Sequence, residues 1–598
     1  MPHAHSFSAN YCKMGNTEEL DLVVIGAGSY GLAAAKTFLE VNPSASIAIL
    51  DSEETIGGVW AERKLYPGLK TNNMLGTYEF SDLPMDTATY GIKAGEHISG
   101  EVVHRYLKDY ARKFGIYSKI RFQTKVLSAE QAGGEGWLLT VTKGFSDKDA
   151  LKTSEVLAKK LIVATGVTSD PFLPRFSGSE SFGAPLFHTG DFKEHAGTLE
   201  SAKTVAVFGG TKSAWDAVYA YATRGVKVEW IIRESGHGPT WMAPPYVTPL
   251  KRWLEKLVHT RFITWLSPCI WGNFDGYSRV RSFLHGTAIG RTLVNTFWGI
   301  LGNDVKTLNK YSSHPELAKL EPWNDAFFVG ASGISILNYD TDFFELVRNG
   351  TVSVHIADIE GLAPKTVLLT KGERLKVDAM VCATGWKHRV ALDFLPKDLD
   401  LGLPHHTTSA PNAHTKQANE EILSRFPRLK QRPAARPKYV PLTENKGISD
   451  EDLAPPEETF EPFQHYRFMV PPSTIRDRNI AFTGFQLTIS TTIMAQAQAL
   501  WIAAYFSDKA GAVAIPADEE EVRYEAVLHN RFGRWRYPEG FGVIPDFAFD
   551  AVPYLDMLLT DLGLDCHRKR GLLRDMFSPY GPEDYKGLVG EWVSRVKR

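Results

Sequence analysis

The sequence predicts an α/β fold in which two Rossmann-like domains are nested, one inserted into the other. The observations behind this prediction are a β-α-β unit near the start of the chain, a second such unit farther along, and two matching strand-and-turn segments that bracket the second unit. Short apolar runs rich in β-branched residues are typical of buried parallel strands. The prediction adds a helical, aromatic-rich insertion and a helical C-terminal extension to these two domains.

The first unit begins with an apolar run at residues 20–25, which is predicted to be a strand. A turn from Gly26 to Gly31 follows, then a helical stretch from Leu32 to Glu40 and a second strand from Ile47 to Leu50. The spacing Gly-x-Gly-x-x-Gly permits a tight turn and brings the backbone close to a pyrophosphate at a helix N-terminus. Asp51 ends the second strand, where a carboxylate can accept hydrogen bonds from a ribose. The residues expected to bind this dinucleotide are Gly26, Gly28, Gly31 and Asp51.

The second unit repeats this pattern with one change at its end. Thr204–Phe208 and Val226–Ile232 are predicted strands, and a glycine turn and a helix from Trp215 to Thr223 lie between them. Arg233 stands where the first unit has Asp51. A guanidinium there suits a 2′-phosphate, which a carboxylate would repel, so this unit is predicted to bind NADPH rather than NADH. The cofactor-binding residues expected here are Gly209, Thr211, Lys212, Ser213 and Arg233.

Two similar segments, Leu161–Gly166 and Ala379–Gly385, each run from a strand into an Ala-Thr-Gly turn. They lie on either side of the second unit, so we expect the chain to leave the first domain at one of them and return at the other. The turn residues Thr165, Gly166, Thr384 and Gly385 are assigned to the cofactor-binding set, and so is Val126. The predicted boundaries are 19–168 and 381–510 for the two parts of the first domain, 169–380 for the inserted domain with an insertion at about 240–330, 397–465 for a loop excursion, and 511–598 for the C-terminal extension.

Composition and charge argue against several classes of protein. The chain has 598 residues, and its 67 Lys and Arg nearly balance its 69 Asp and Glu, so neither nucleic acid nor a strongly acidic partner is favoured. Its four cysteines form no Cys-x-x-Cys pair, which argues against a redox dithiol and a zinc ribbon, and no metal site is expected. Sparse, scattered cysteines fit a reducing compartment.

No stretch of the sequence approaches the roughly 20 apolar residues that a membrane span needs. The first 18 residues lack the apolar core of a signal peptide. The apolar segment Phe262–Trp271 is too short to span a bilayer and contains Pro268, so it is expected to lie in the core or in a pocket wall, with membrane contact as the alternative. The expected location is the cytoplasm, with a peripheral place on a membrane as the alternative.

Two further segments complete a family resemblance. Gly57-Gly58-Val59-Trp60 follows the first unit, where two glycines permit backbone close to a ligand and Trp60 offers a flat face for stacking. Tyr66-Pro-Gly-Leu-Lys-Thr71-Asn72-Asn73 comes next, followed by Met74–Pro84. These blocks resemble the class B flavin-dependent monooxygenases of the dimethylaniline monooxygenase type, including fungal members that tailor secondary metabolites. The resemblance extends over roughly residues 20 to 510.

The resemblance implies FAD in the first domain and NADPH in the second. It implies hydride transfer from NADPH to FAD, a flavin C4a-(hydro)peroxide formed with O2, and insertion of one oxygen atom into a small apolar substrate. In this family the Thr-Asn pair places an amide beside the flavin and the nicotinamide, so Asn72 is the expected catalytic residue, with a turn-forming Asn as the alternative. The residues that the resemblance adds to the cofactor-binding set are Gly58, Val59, Trp60, Thr71, Asn72 and Gln486.

A family fingerprint precedes the second unit, and Phe182, His188 and Phe192 match it, although Gly183 sits one place early. Baeyer–Villiger relatives carry Trp at the position of Phe192, which weakens the prediction of ketone insertion but leaves it as the alternative. A disulfide reductase would need a redox cysteine pair that this sequence lacks. A non-catalytic flavin-binding protein is the further alternative, and reduction of the flavin by NADPH would exclude it.

The aromatic-rich insertion is the expected substrate region. Its tryptophans favour either a pocket for an apolar, aromatic or polyketide-like ligand or an ordinary core, and the sequence leaves both interpretations open. The tryptophans in question are Trp241, Trp253, Trp265, Trp271 and Trp298. The expected partners are therefore a small organic substrate and O2.

Overall fold

The computed structural model describes residues 17–144, 153–247, 251–387, 389–406, 412–433, 438–442, 448–449, 460–507, 509–538 and 544–597. Three five-stranded sheets form its framework. Each of the two predicted β-α-β units lies in a sheet whose strands are all parallel. The architecture is therefore α/β with two Rossmann-type sheets, as the sequence predicts.

The first parallel sheet has the first β-α-β unit at its centre. Its central strand is buried at all four positions, and Val24 pairs with Ile49 on one side and with Ile162 on the other. In order across the sheet, the strands are Ile480–Phe482, Leu161–Val163, Leu22–Ile25, Ile47–Leu50 and Ile120–Arg121.

The second parallel sheet contains the second unit. In order, its strands are Leu186–His188, Ala379–Cys382, Thr204–Phe208, Lys227–Ile232 and Val352–Ile356. Beside it lies an antiparallel sheet of Ile359–Ala363, Thr366–Leu369 and Arg374–Lys376. The strand Ala379–Cys382 belongs to the second parallel sheet, although it follows the whole insertion in the sequence. This parallel sheet is therefore completed by residues far beyond the second unit.

The third five-stranded sheet is mixed, and it corrects one predicted strand. Its order is Glu18–Leu20, Thr153–Ala158, Trp137–Lys143, Thr124–Gln131 and Asp393–Leu395. The run at 20–25 is not one strand, because Leu20 belongs here and Leu22 begins the first parallel sheet. Asp21 lies between them, and its carboxylate accepts a hydrogen bond from the Ser46 amide at 2.9 Å, which fixes the change of direction.

Short two-stranded sheets connect these parts: Lys70–Met74 with His97–Ser99, Arg175–Phe176 with Ile448–Ser449, Trp241–Ala243 with Ile334–Ile336, Tyr246–Val247 with Arg252–Trp253, and His405–His406 with Phe460–Glu461. The α-helices are α1 (Ser29–Val41), α2 (Thr87–Tyr90), α3 (Gly100–Lys113), α4 (Thr198–Ser201), α5 (Lys212–Ala222), α6 (Leu254–Val258), α7 (Arg261–Trp265), α8 (Ser278–Gly286), α9 (Ala288–Leu308), α10 (Pro315–Ala318), α11 (Phe343–Arg348), α12 (Ala413–Arg425), α13 (Thr491–Tyr505), α14 (Glu519–Arg536), α15 (Ala551–Asp561), α16 (Leu572–Phe577) and α17 (Leu588–Val596). Among the described residues, no helix combines the length and the apolar content needed to cross a bilayer.

The prediction of a loop excursion at 397–465 is wrong where α12 lies. Asn412 caps this helix by accepting a hydrogen bond from the Thr415 amide, and Thr415, Ala418 and Ile422 form its buried side. α12 packs against α14 of the C-terminal extension. Only three of its positions are buried, so its sequence shows too little apolar periodicity to predict a helix. Residues 407–411, 434–437, 443–447 and 450–459 of the excursion lie outside the described residues.

Candidate active site

Glycines shape the turn between the first strand and α1. Gly26 has a φ of +109°, and a Cβ there would lie 2.5 Å from the carbonyl oxygen of Ala164. A Cβ on Gly31 would overlap the carbonyl oxygen of Gly26, so α1 can pack this closely on the turn only without a side chain at that position. The turn therefore requires glycine at both positions.

The N-terminus of α1 is open toward a second glycine turn. Gly28 caps the helix without a side-chain hydrogen bond, and the first turn of α1 contains no acidic residue. A Cβ on Gly58 would lie 3.1 Å from the Cα of Gly28, so the two backbones approach closely. The buried Thr165 Oγ1 has no hydrogen-bond partner among the residues that the structure describes. Free helix amides, bare backbone and an unpartnered hydroxyl fit the polar groups of FAD.

Asp51 is buried at the end of its strand. Its Oδ2 accepts a hydrogen bond from the Ala27 amide at 2.5 Å, and its Oδ1 accepts one from the Glu53 amide at 2.8 Å. Burial raises the pKa of the Asp51 carboxyl, and these two hydrogen bonds lower it. Asp51 thus holds the glycine turn in place, and its predicted contact with a ribose stays a proposal.

Val59 and Trp60, which follow Gly58, have side chains in different surroundings. Trp60 Nε1 donates to Tyr78 Oη at 2.8 Å, and the two rings meet edge to face with centroids 6.3 Å apart. The Val59 side chain is 49% exposed. Tyr78 therefore fixes the Trp60 ring, whereas Val59 has no such support.

The remaining residues assigned to FAD are mostly internal. Thr71 Oγ1 donates to the Asn73 carbonyl at 2.6 Å. Val126 is buried in the mixed sheet, and Gly166 has a φ of +69° in its turn. Gln486 is buried, and its Nε2 donates to Gln498 Oε1 at 3.3 Å. Thr71 and Gln486 thus have structural roles, and contact of these four residues with flavin stays a proposal.

The second glycine turn repeats the features of the first. A Cβ on Gly209 would overlap the carbonyl oxygen of Ala383, and Trp230 Nε1 donates to the Gly209 carbonyl at 2.7 Å. Thr211 caps α5 without a side-chain hydrogen bond, and the first turn of α5 contains no acidic residue. The N-terminus of α5 is thus available to a phosphate.

Lys212 and Arg233 are both engaged with protein groups. The Lys212 ammonium forms an ion pair with Asp216 within α5. Arg233 Nη1 donates to Ser235 Oγ at 3.2 Å and to the Val440 carbonyl at 3.0 Å. Burial lowers the pKa of the Arg233 guanidinium, and Asp358 raises it. Arg233 is therefore oriented before any ligand binds.

A cavity of about 600 Å³ lies at the carboxyl end of the second parallel sheet, and we call it the polar cavity. It brings together predicted residues from the second unit, from the return segment and from the block after the first unit. The predicted residues that line it are Asn72, Gly209, Thr211, Lys212, Ser213, Arg233, Thr384 and Gly385.

A second, largely apolar cavity of about 60 Å³ lies on the insertion side of Asn72, and we call it the apolar cavity. α6 and α9 contribute Val258, Trp298 and Val305 to its wall, and the C-terminal extension contributes Phe549. Its polar lining comes from Asn72, Glu255 and Ser335. Sequence reasoning missed Glu255 and Ser335, and no local pattern marks either residue.

Asn72 lies at the boundary of the two cavities. It lines both of them, together with Trp241, Val329, Ile334 and Ser335. Ser335 Oγ donates to Asn72 Oδ1 at 2.9 Å, which orients the amide. A group bound in one cavity is thus separated from a group in the other by these side chains.

The tryptophans of the insertion divide between the two interpretations. Trp241 and Trp298 belong to the main core and also line the apolar cavity, and Trp253 is half-buried with its Nε1 donating to Glu255. Trp265 and Trp271 are buried in the main core. The fingerprint residue Phe192 is also buried, with its ring stacked on Tyr221 at 5.4 Å.

The cysteines offer no support for disulfide chemistry in the described part of the chain. Cys269, Cys382 and Cys566 are buried and unpaired. Cys12 lies outside the described residues.

Comparison with known proteins identifies the family. The family model described as pyridine nucleotide-disulphide oxidoreductase matches residues 23–264. The FAD-dependent monooxygenase resA of Aspergillus sclerotiorum is 33% identical over 597 residues, which cover 96% of this chain and 98% of that protein. Cyclohexanone monooxygenase in its open form has a TM-score of 0.56 at 15% identity and covers 97% of this chain and 99% of its own. A steroid monooxygenase bound to NADP has a TM-score of 0.54 at 18% identity, covering 97% and 99%.

The two solved structures share the fold, and the relative from Aspergillus matches the chain almost from end to end. The chain therefore belongs to the FAD-dependent monooxygenases and is an oxidoreductase.

Proposed function

We propose that this protein uses NADPH and FAD to insert one atom of O2 into a small apolar organic substrate, as a step in secondary-metabolite biosynthesis. The observation that carries the proposal is the place of Asn72 between the polar and the apolar cavity. From this position Asn72 can contact both the cofactors that are reduced or oxidised and the substrate that receives the oxygen atom. The similarity to a fungal relative supports the metabolic setting.

The polar cavity supports binding of NADPH. The N-terminus of α5 presents free amide groups to the pyrophosphate, and Gly209 removes side-chain bulk from the turn. Arg233 lies at the end of its strand, where its guanidinium can pair with a 2′-phosphate. Its hydrogen bonds to Ser235 and Val440 reduce the entropy that it loses when the phosphate binds.

The N-terminus of α1 supports binding of FAD. Gly28 and Gly58 leave backbone uncovered for the pyrophosphate, and Asp51 holds the turn in the required shape. When bound, reduced FAD supplies the reaction with O2 that the side chains cannot perform. The amide of Asn72, oriented by Ser335, then presents its Nδ2 as a donor toward the reacting groups.

The apolar cavity supports an uncharged substrate. Its wall is formed largely by aliphatic and aromatic side chains, which exclude water from the reacting groups. Burial of a charged substrate there would cost several kcal/mol without a partner. Glu255 is the ionisable residue of the lining, and its oxygens are already engaged with protein donors.

The purified protein tests this proposal. We expect it to carry FAD, and anaerobic NADPH to bleach the flavin absorbance. Incubation with a cell extract, NADPH and 18O2, followed by mass spectrometry, should give a product with one labelled oxygen. Asn72→Ala is the matched variant, and it should retain flavin and NADPH oxidation but release hydrogen peroxide in place of product. A colourless protein, or a flavin that NADPH leaves oxidised, would reject the proposal.

A further inference from the structure

The outward side of α9 lacks the charges expected of a surface helix. From Ala288 to Asn303, every exposed residue of α9 is uncharged, and the one charged residue, Arg291, is half-buried and donates to the Gly286 carbonyl at 2.7 Å. Ile289, Leu293 and Ile300 lie on one side of the helix and are 69%, 52% and 61% exposed. A helix at a protein surface normally places charged and polar residues on this side. The outward side of α9 thus presents three large apolar side chains among uncharged polar ones, which indicates a contact with something other than water.

Neighbouring helices extend this surface. α8 packs against α9 and α7, α7 packs against α16, and the intervening α8 and α7 expose Phe283 and Phe262. α16 exposes Leu572, Leu573 and Phe577, and the Phe577 ring lies 5.2 Å from that of Phe262 on α7. We call Ile289, Leu293, Ile300, Leu572, Leu573 and Phe577 the apolar face. Clusters of exposed apolar side chains mark interaction sites, whereas single ones do not.

The rim of the apolar face is positively charged. Arg279 on α8, and Arg570 and Arg574 at α16, are exposed and form no ion pair within the described parts of the chain. The nearby acidic residues Asp275 and Asp575 are buried, and the exposed Asp565 leaves the arginines in excess. Basic side chains around exposed Leu, Ile and Phe complement an anionic lipid surface.

The inner side of α9 lines the apolar cavity. Trp298, Leu301, Gly302 and Val305 contribute to its wall from the side opposite Ile289 and Leu293. An α-helix with its side chains is about 10–12 Å thick, so a surface that covers the apolar face lies one helix away from the cavity. If that surface is a lipid bilayer, apolar compounds that partition into the lipid would be concentrated one helix away from the apolar cavity.

We propose that the apolar face docks this protein on the surface of an anionic lipid bilayer, one helix away from the apolar cavity. This docking does not rest on the proposed function. A lipid surface fits better than a second copy of the chain. In a symmetric dimer through this face, the rims of the two copies would meet and supply no anionic partner for Arg279, Arg570 and Arg574, whereas an anionic bilayer supplies one.

Sedimentation of the full-length holoprotein with vesicles tests the docking. We expect binding to phosphatidylcholine vesicles that contain phosphatidylserine, weaker binding to phosphatidylcholine alone, and loss of binding at high salt. The double variant Leu293→Glu, Ile300→Glu should weaken binding at least about tenfold, because it removes apolar burial and adds negative charge. Leu173→Glu, at an exposed apolar residue away from these helices, should bind like the wild type.

Two results would overturn the docking proposal. One is wild-type protein that remains in solution with both kinds of vesicle. The other is a wild-type dimer in analytical ultracentrifugation that the double variant converts to monomer, which would make the apolar face a contact between copies. Unchanged flavin content and circular dichroism show that the variants are folded. Vesicle binding needs neither NADPH nor substrate, so its failure is distinguishable from failure of the proposed function.

Discussion

Glu255 shows at the residue scale how the insertion supports the candidate site. Its carboxylate accepts hydrogen bonds from Asn73 Nδ2 at 2.5 Å, from the Met74 amide at 3.0 Å and from Trp253 Nε1 at 2.9 Å. Asn73 and Met74 directly follow Asn72 in the same strand. A buried carboxylate on α6 therefore fixes the strand that presents Asn72 to both cavities.

The protonation of Glu255 makes its contribution to stability depend on pH. Burial raises the pKa of this carboxyl from 4.5 to about 7, although its hydrogen bonds lower it. Because the folded-state pKa lies above the unfolded-state value, the carboxyl contributes stability below pH 4.5, and this contribution is lost as the pH rises to about 7. Relative to Glu255→Gln, the wild-type free energy of unfolding should fall by about 1–3 kcal/mol over this range.

Chemical denaturation of both proteins at a series of pH values measures this difference. Glu420→Gln is the control, because Glu420 is exposed on α12 and should show no such trend. A difference between wild type and Glu255→Gln that does not change with pH would contradict the assigned pKa.

Arg233 carries the proposed preference for NADPH. Arg233→Ala should raise the KM for NADPH much more than the KM for NADH, because the lost charge-assisted contact with the 2′-phosphate is worth about 1–3 kcal/mol. Steady-state flavin reduction with each nucleotide measures both constants. Arg224→Ala, which removes an exposed guanidinium after α5, should leave the ratio unchanged. An equal rise of both constants would remove Arg233 from 2′-phosphate recognition.

Site residues could be predicted from the sequence where a local motif marks them. Asn72 and Arg233 could be singled out because each follows a recognisable block, and the structure places both at the polar cavity. Glu255 could not be predicted. It meets Asn73 across 182 residues, and a lone Glu in a helical segment of the sequence is indistinguishable from a solvent-exposed one.

At the scale of elements, the close packing of α1 on its turn depends on Gly31. A Cβ there would overlap the Gly26 carbonyl, so Gly31→Ala should displace α1 and reduce the flavin content of the purified protein. Gly590→Ala is the matched control, because a Cβ at this position of α17 meets no atom within 4 Å. It should retain flavin and stabilise the helix by up to about 1 kcal/mol. Flavin absorbance per protein measures the outcome. A full flavin content in Gly31→Ala would show that the packing of α1 does not require glycine at this position.

Elements with strong apolar patterns were predicted well, and those that depend on tertiary contacts were not. The strand Thr204–Phe208 is as predicted, because five successive residues suit a buried parallel strand. α1 and α5 begin about one turn earlier than predicted, because the last residues of each glycine turn are already helical. α12 was missed because its stability comes from packing against α14.

At the scale of the whole molecule, a buried ionic cluster joins the insertion to the C-terminal extension. Arg261 on α7 forms an ion pair with Asp556 on α15, and its Nε lies 3.2 Å from Asp575 Oδ2 on α16. The Arg261 guanidinium also donates to Tyr580 Oη at 3.0 Å. The side chains of Arg261 and Asp556 are 0% and 1% exposed, so the cluster is closed to water. It fixes the extension whose Phe549 lines the apolar cavity.

Removal of Arg261 should therefore affect both stability and substrate turnover. Arg261→Met leaves Asp556 and Asp575 buried without their shared cation, which should cost about 3–5 kcal/mol in denaturation experiments. Arg348→Met removes a guanidinium from a surface ion pair and should cost at most about 1 kcal/mol. Adding Asp556→Asn to Arg261→Met should restore part of the loss, because one unpaired buried charge is then removed.

The same variant tests whether the extension acts on the apolar cavity. NADPH should still bleach the flavin of Arg261→Met, because the glycine turns and Arg233 lie in the parallel sheets, although Tyr537, Pro538 and Ile544 of the extension also line the polar cavity. The yield of labelled product per NADPH should fall, since displacement of Phe549 opens the cavity to water. If product yield stays at the wild-type level while stability falls, the extension supports the fold alone. If flavin reduction fails as well, the cluster also supports the nucleotide domains, and the two roles of the molecule are not separate.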